Sequence, residues 1–331
     1  MSRVVRFHQV GGPEVLRIEQ LAIEEPKSGE VRIAVAAIGL NRAESMFRGG
    51  LMGTPNLPSK IGYEAAGLIE ALGPDVDGFK IGDKVAVLPG LSMEEYGVCA
   101  DSVLYPANML IKQPTDLSLE DAAAAWMQYL TAYAIVGVAD LQRDEPVVIT
   151  AASSSVGLAA IEIANLLGAV PIAVTRGRGK VAALLRHGAR HVVVSDEEDL
   201  VDRVRQHTEG MGARVIFDAV AGNTVAGLIE AARTGGCIII YGALAGAVSQ
   251  VPLPPAMLKG LTIRGYAMNE FMADSSNRFR ALEFVYYGLG TGRLKPVIDR
   301  VFALEEIVEA YRYLEGNAQV GKIVVRTSRA Q

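Results

Sequence analysis

Hydrophobic and polar positions fall into two regimes along the chain. Through about residue 125, short apolar runs stand between Gly and Pro turns: Val4-Val5-Arg6-Phe7, Val15-Leu16-Arg17-Ile18, Val31-Arg32-Ile33-Ala34-Val35 and Lys84-Val85-Ala86-Val87-Leu88. Such runs predict strands, and their density predicts a barrel-like antiparallel domain. From Leu119 the period becomes helical, with Ser118 placed as N-cap, Asp121 at the third helical position and an alanine-rich stretch leading to Tyr133. The domain junction is expected here. Strands at 147–150, 170–174, 191–194, 214–217 and 236–241 then alternate with helical stretches, the signature of a doubly wound parallel sheet. Residues 261–266 add a sixth strand, and 304–315 a late helix before Gly321-Lys322-Ile323-Val324-Val325.

The strand at 147–150 runs into Ala151-Ala152-Ser153-Ser154-Ser155-Val156-Gly157 and then a helical stretch, 158–169, with Gly168 suited to cap its end. This is the layout of a phosphate-binding turn, in which a buried strand delivers backbone N–H groups and a helix N-terminus to a pyrophosphate. The glycine fingerprint is nearly lost by letter, because Ser153 and Ser154 stand where glycines are expected and only Gly157 remains. Serine is still small enough for close approach, and its hydroxyl can donate to a phosphate oxygen. An ordinary strand-turn-helix with a Ser-rich turn has the same letters.

The next thirty residues separate the two readings. A site for NAD places an acid about 20 residues past the turn for the ribose 2′-hydroxyl, whereas one for NADP places a cation there for the 2′-phosphate. No acid occurs from residue 163 to 195, while Thr175-Arg176-Gly177-Arg178-Gly179-Lys180 brings three cations to the end of the second strand. NADP(H) is the expected cofactor, bound by Ser153, Ser154, Ser155, Val156 and Gly157 in the turn and by Thr175, Arg176, Arg178 and Lys180 beyond the second strand.

Composition adds exclusions. With 331 residues, 50% of them hydrophobic, the chain has room for two cores. No apolar run reaches the roughly 18 residues needed to cross a bilayer, and residues 1–20 lack a signal-peptide layout, so a cytoplasmic protein is expected. A net charge of -5 with mixed signs gives no footprint for nucleic acid or anionic membrane. Cys99 and Cys237 are the only cysteines and lie far apart, which removes a disulfide framework and a cysteine zinc cluster. None of His8, His187, His191 and His207 sits at metal-ligand spacing with a carboxylate or thiol.

A series of short motifs recurs in order: Gly11-Gly12-Pro13-Glu14-Val15-Leu16, Asn41, Leu57-Pro58 with Gly62-Tyr63-Glu64-Ala65-Ala66-Gly67, and Gly82-Asp83-Lys84-Val85. Leu130-Thr131-Ala132-Tyr133, the turn at 151–157, Phe217-Asp218 with Gly222, Tyr241-Gly242 and Gly321-Lys322-Ile323-Val324 follow. In this order and spacing the chain resembles the zinc-independent quinone oxidoreductase branch of the medium-chain dehydrogenase/reductase superfamily over essentially its whole length. The resemblance implies an α/β fold with a GroES-like catalytic domain at 1–125, completed by 296–331, and a Rossmann-type NADP(H) domain at 126–295. It implies a homodimer as well. It also implies a nicotinamide near Asn41, Thr131, Tyr241, Gly242 and Tyr266, with the adenosine phosphate held by Arg176 and Lys180.

Departures carry information too. Zinc alcohol dehydrogenases of the superfamily have a cysteine at the position of Asn41, a histidine at that of Tyr63 and a four-cysteine structural lobe. These ligands are missing here, and catalytic zinc needs three protein ligands, so no metal is expected. The tyrosine that many quinone reductases carry shortly before the Leu-Pro pair is absent, with Met52 nearby. Without a metal, hydride transfer suits an acceptor that already delocalises the incoming charge, such as a quinone or an α,β-unsaturated carbonyl. Tyr63 is the candidate catalytic donor to the acceptor oxygen, with a space-filling role as the alternative. Asn41 is expected in catalysis or in orienting the nicotinamide ribose, and Arg42, Glu44, Gln128 and Tyr129 in solvated or structural roles. The residues favour an NADPH-dependent reductase of conjugated carbonyls, ahead of a secondary-alcohol dehydrogenase or ketone reductase and of a non-catalytic NADPH-binding protein.

Overall fold

The computed structural model describes residues 1–114 and 117–329. They divide into two units, Met1–Met127 with Lys295–Gln331, and Gln128–Leu294. In chain order the first strands are β1 (Ser2–Phe7), β2 (Leu16–Leu21), β3 (Glu30–Gly39), β4 (Ser59–Lys60), β5 (Glu64–Leu72), β6 (Lys84–Val87), β7 (Ser102–Pro106) and β8 (Leu110–Lys112). The second unit holds β9 (Pro146–Ile149), β10 (Val170–Thr175), β11 (His191–Val194), β12 (Ala213–Asp218), β13 (Ala232–Ile240) and β14 (Thr262–Gly265). The chain returns to the first unit with β15 (Ile298–Ala303) and β16 (Lys322–Arg326).

The first unit is built on β3, whose inward Val31, Ile33, Val35 and Ile38 join Phe7, Tyr105 and Tyr311 in one core. β3 pairs antiparallel with β5, β7 and β16 in a sheet of order β15-β16-β3-β5-β6-β8, and β2-β1-β4 form a smaller sheet. The strands β1 to β8 pair antiparallel, whereas the returning strands β15 and β16 run parallel to each other. Parallel neighbours need a crossover, and the helix Ile307–Glu315 supplies it. Strand β2 starts at Leu16 rather than Val15 because Pro13–Val15 form a 3₁₀ turn, for which proline's fixed φ is suited.

The predicted cap at Ser118 is present, its hydroxyl accepting from the Asp121 N–H at 3.0 Å. The helix it starts is short, Leu119–Ala123, and helical chain resumes at Trp126–Ala132. In the second unit all neighbouring strands are parallel, in the order β11-β10-β9-β12-β13-β14. Val147, Val148, Ile149, Ile238 and Ile239 have no solvent exposure, which explains why these strands read as continuous apolar runs. The order reverses between β9 and β12, and ligands of such sheets bind beyond the carboxyl ends at that point. Among the described residues no helix is long and apolar enough to cross a membrane.

Candidate functional site

In the second unit the turn after β9 leads directly into a capped helix N-terminus. Ser154 caps the helix Ser155–Leu167, its hydroxyl accepting from the Gly157 N–H at 3.0 Å. The helix thus begins three residues before the expected start, and the last three residues of the predicted turn belong to its first turn. Its N–H groups at Ser155 and Val156 have no intrahelical acceptor, and the positive end of the helix dipole lies there. Gly157 is required, because a Cβ would come 2.6 Å from the Ala152 Cα. The left-handed residue of the turn is Ala151, φ 45°, not either serine. At its far end the helix closes on Gly168, φ 73°.

Beyond β10, Lys180 Nζ donates to Ser153 Oγ at 3.0 Å, which joins the predicted cations to the turn. Arg176 is exposed, and Arg178 pairs with Glu197 in the loop after β11. Thr175 is buried, and its carbonyl accepts from the Ser195 N–H at 2.9 Å. A Cβ placed on Gly177 or Gly179 would find no atom within 4 Å, so the loop leaves open room beside the cations. Hydroxyls, helix N–H groups, an ammonium and a guanidinium are the donor set a phosphorylated nucleotide needs, and they fit NADP(H).

Tyr241 follows β13, its ring stacked on Phe217 with centroids 4.0 Å apart. Burial pushes its phenol well up, so it stays neutral. Gly242 lies so close to the neighbouring loop that a Cβ would sit 2.7 Å from the Ala219 carbonyl oxygen. Tyr266 is buried with its hydroxyl 3.4 Å from the Leu130 carbonyl, and Thr131 and Gln128 are buried in Trp126–Ala132. The Tyr129 hydroxyl donates to Glu162 at 2.5 Å.

In the first unit, Asn41 and Tyr63 are tied to one carboxylate. Glu44 accepts from the Asn41 N–H at 2.8 Å, the Tyr63 N–H at 2.9 Å and the Tyr311 hydroxyl at 2.8 Å. Burial pushes its carboxyl up, and those three bonds pull it back. The Asn41 side chain is fixed as well, Nδ2 donating to the Gly39 carbonyl at 2.9 Å and Oδ1 accepting from Lys322 Nζ at 2.6 Å. Lys322 also pairs with Glu64 at 2.5 Å, both side chains without solvent exposure, and Glu64 accepts from the Met127 N–H at 2.9 Å. Tyr63 is half-buried, and burial followed by the Glu44 charge pushes its phenol up, leaving it a donor throughout the neutral range. Arg42 donates to the Leu314 carbonyl at 2.8 Å. Among the described residues no three His, Cys, Asp or Glu side chains come together as a metal-ligand set.

Comparison with known proteins bears on this arrangement. The family described as alcohol dehydrogenase GroES-like domain matches residues 27–115, and that described as zinc-binding dehydrogenase matches 155–285. The quinone oxidoreductase of Pseudomonas aeruginosa is 30% identical over 328 residues, covering 98% of this chain and 99% of the relative. The chain belongs to the quinone oxidoreductase-like family of medium-chain dehydrogenases/reductases. A 2-haloacrylate reductase from Burkholderia is 28% identical, covering 96% of this chain and 97% of its own. Among solved structures, Escherichia coli quinone oxidoreductase complexed with NADPH superposes with a TM-score of 0.91 at 28% identity, covering 98% of this chain and all of that one. An NAD-dependent alcohol dehydrogenase superposes with a TM-score of 0.89 at 32% identity, over 98% and 99% of the two chains.

The first unit also holds a charge arrangement that apolar periodicity does not reveal. Glu44, expected in a solvated or structural role, is fully buried at the centre of the first unit's cluster. Glu64 and Lys322 carry no site role in the sequence pattern, yet a signal exists: Glu64 precedes Ala65-Ala66 and Lys322 precedes Ile323-Val324-Val325. A charge at the head of an apolar strand is a candidate for a buried partner, because an isolated buried charge is costly.

Proposed function

We propose that this chain is an NADPH-dependent reductase of conjugated carbonyl compounds, quinones or enones and enoyl compounds, that works without zinc. The observation that carries the reading is the basic, acid-free end of β10, with Lys180 bonded to the Ser153 hydroxyl of the phosphate turn. Ser153, Ser154 and the first-turn N–H groups would hold the pyrophosphate, and Arg176 with Lys180 the 2′-phosphate. NADPH, when bound, supplies the hydride. Tyr63, held neutral, donates a hydrogen bond to the acceptor oxygen as negative charge develops there. A conjugated acceptor needs no stronger electrophile, because it spreads that charge over its own π system.

The test is affinity. NADPH should bind at least tenfold more tightly than NADH, about 1.4 kcal/mol, and Arg176→Ala should weaken NADPH while leaving NADH nearly unchanged. Equal dissociation constants by calorimetry would reject the assignment. Turnover of an enone well above that of its saturated ketone separates this reading from a ketone reductase.

Zinc independence is supported by the side chains at the two relevant positions. Asn41 has its amide committed to Gly39 and Lys322, and Tyr63 offers a phenol that burial keeps protonated. Activity is expected to survive exhaustive chelation. Stoichiometric zinc whose removal abolishes turnover would overturn this.

A homodimer is part of the same proposal. β14 is an edge strand, and Leu253, Met257 and Leu258 of the preceding helix Leu253–Leu258 are 63%, 76% and 86% exposed. An open strand edge beside an apolar helix is the kind of surface a twofold partner covers. Light scattering should give twice the chain mass, and Leu258→Asp should lower it to that of a monomer. A monomeric wild-type protein at micromolar concentration would refute the dimer.

A further inference from the structure

Asp218 is a fully buried carboxylate in the second unit, and its acceptors meet uncharged donors. Its Oδ1 accepts from the Thr150 hydroxyl at 2.6 Å and the Val220 N–H at 3.0 Å, and its Oδ2 accepts from the Ala221 N–H at 3.0 Å. The Thr150 hydroxyl oxygen accepts in turn from the Ala219 N–H at 2.9 Å. Backbone bonds extend the cluster, from the Thr150 N–H to the Phe217 carbonyl at 3.1 Å and from the Tyr241 N–H to the Asp218 carbonyl at 2.9 Å. The ends of β9 and β12 therefore meet at the Asp218 side chain, and the chain leaving β13 bonds the Asp218 main-chain carbonyl.

The place is significant. β9 and β12 are the strands between which the sheet order reverses, and Thr150 and Asp218 stand at their carboxyl ends. Thr150 is the last residue before the phosphate turn, and Asp218 the last before the loop 219–222. That loop is held in a costly shape: Ala221 has φ 55° and ψ −149°, close to a region that only glycine occupies easily. Its Ala219 and Val220 carbonyls accept from the N–H groups of Leu244 and Ala245 at 3.1 and 2.9 Å, which fixes the loop after β13 as well. Strain of this kind persists only where surrounding bonds impose it, and here Asp218 supplies them.

We propose that Asp218 and Thr150 form a positioning clamp for the nucleotide, fixing the phosphate turn against the loop 219–222 at the reversal point of the sheet. Neither touches the reacting atoms. The clamp keeps the cofactor groove in its binding shape, so that NADPH meets preset backbone groups and loses less freedom in ordering them. The inference rests on the NADPH-binding reading above.

Calorimetric titration with NADPH on the full chain tests it. Asp218→Asn keeps the shape but turns the acceptor of the Ala221 N–H into a donor facing it, and should weaken NADPH at least tenfold. Its KM for NADPH should rise while kcat at saturating NADPH stays near wild type. Ala221→Gly added to Asp218→Asn should recover several-fold of the lost affinity, because glycine adopts the loop's conformation without the strand end having to impose it. Thr150→Val should weaken NADPH similarly and Thr150→Ser stay within about twofold, which decides the matter even if Asp218→Asn fails to fold. Unchanged affinity in Thr150→Val or Asp218→Asn, with only a lower melting temperature, would make the cluster purely structural and overturn the clamp. Wild-type protein that does not bind NADPH would instead refute the underlying cofactor assignment.

Discussion

Replacing Lys322 by alanine should lower the unfolding free energy by about 3–5 kcal/mol, the range measured when one partner of a buried ion pair is removed. Glu64 would be left with an unpaired carboxylate that has no access to water, and Asn41 Oδ1 would lose its donor at 2.6 Å. Lys322→Met, which keeps most of the volume, should be nearly as harmful, because the isolated charge and not the lost packing dominates. Combining Lys322→Met with Glu64→Leu should recover a large share, since a buried pair exchanged for apolar side chains is often close to neutral. Denaturant unfolding at neutral pH reads all three. A loss below about 1 kcal/mol in Lys322→Ala would mean that solvent reaches Glu64 after all.

The fold is largely legible in the sequence, and the reason is local. The central parallel strands of the second unit are buried on both faces, and β9 accordingly carries the unbroken β-branched run Val147-Val148-Ile149, while Ser118 and Gly168 mark helix ends by residue type alone. The phosphate turn is legible as strand, small residues and helix even without its glycines. What escapes is whatever depends on residues far apart in the chain. Glu44 is separated from Tyr311 by 267 positions and Lys322 from Asn41 by 281, and no periodicity relates them. The parallel pairing of β15 with β16 escapes for the same reason, since strand direction is set by the crossover and not by the strand's own letters. Thr150 and Asp218 are legible only as the last polar residues of apolar strands.

Tyr63→Phe is expected to reduce turnover of the best conjugated acceptor by roughly 10²-fold with NADPH affinity intact, the scale of one lost oxyanion donor or proton-transfer group. The geometry makes this substitution unusually clean. Position 63 is fixed by its backbone N–H, bonded to Glu44 at 2.9 Å, so phenylalanine keeps the anchor and loses only the hydroxyl. Tyr63→Ala keeps that bond too but removes a ring that packs against the core, and should lower stability by less than the 3–5 kcal/mol of a fully buried aromatic, because Tyr63 is half-buried. A space-filling tyrosine predicts the opposite split, with Phe silent and Ala impaired. The pH profile discriminates further. Since burial and the Glu44 charge raise the Tyr63 phenol above its ordinary value near 10, any loss of wild-type turnover from its ionisation should set in at a higher pH than for an ordinary phenol. A donor that works only while protonated fails on the alkaline side alone, so a decline there that is present in the wild type and missing from Tyr63→Phe would assign the proton to this hydroxyl.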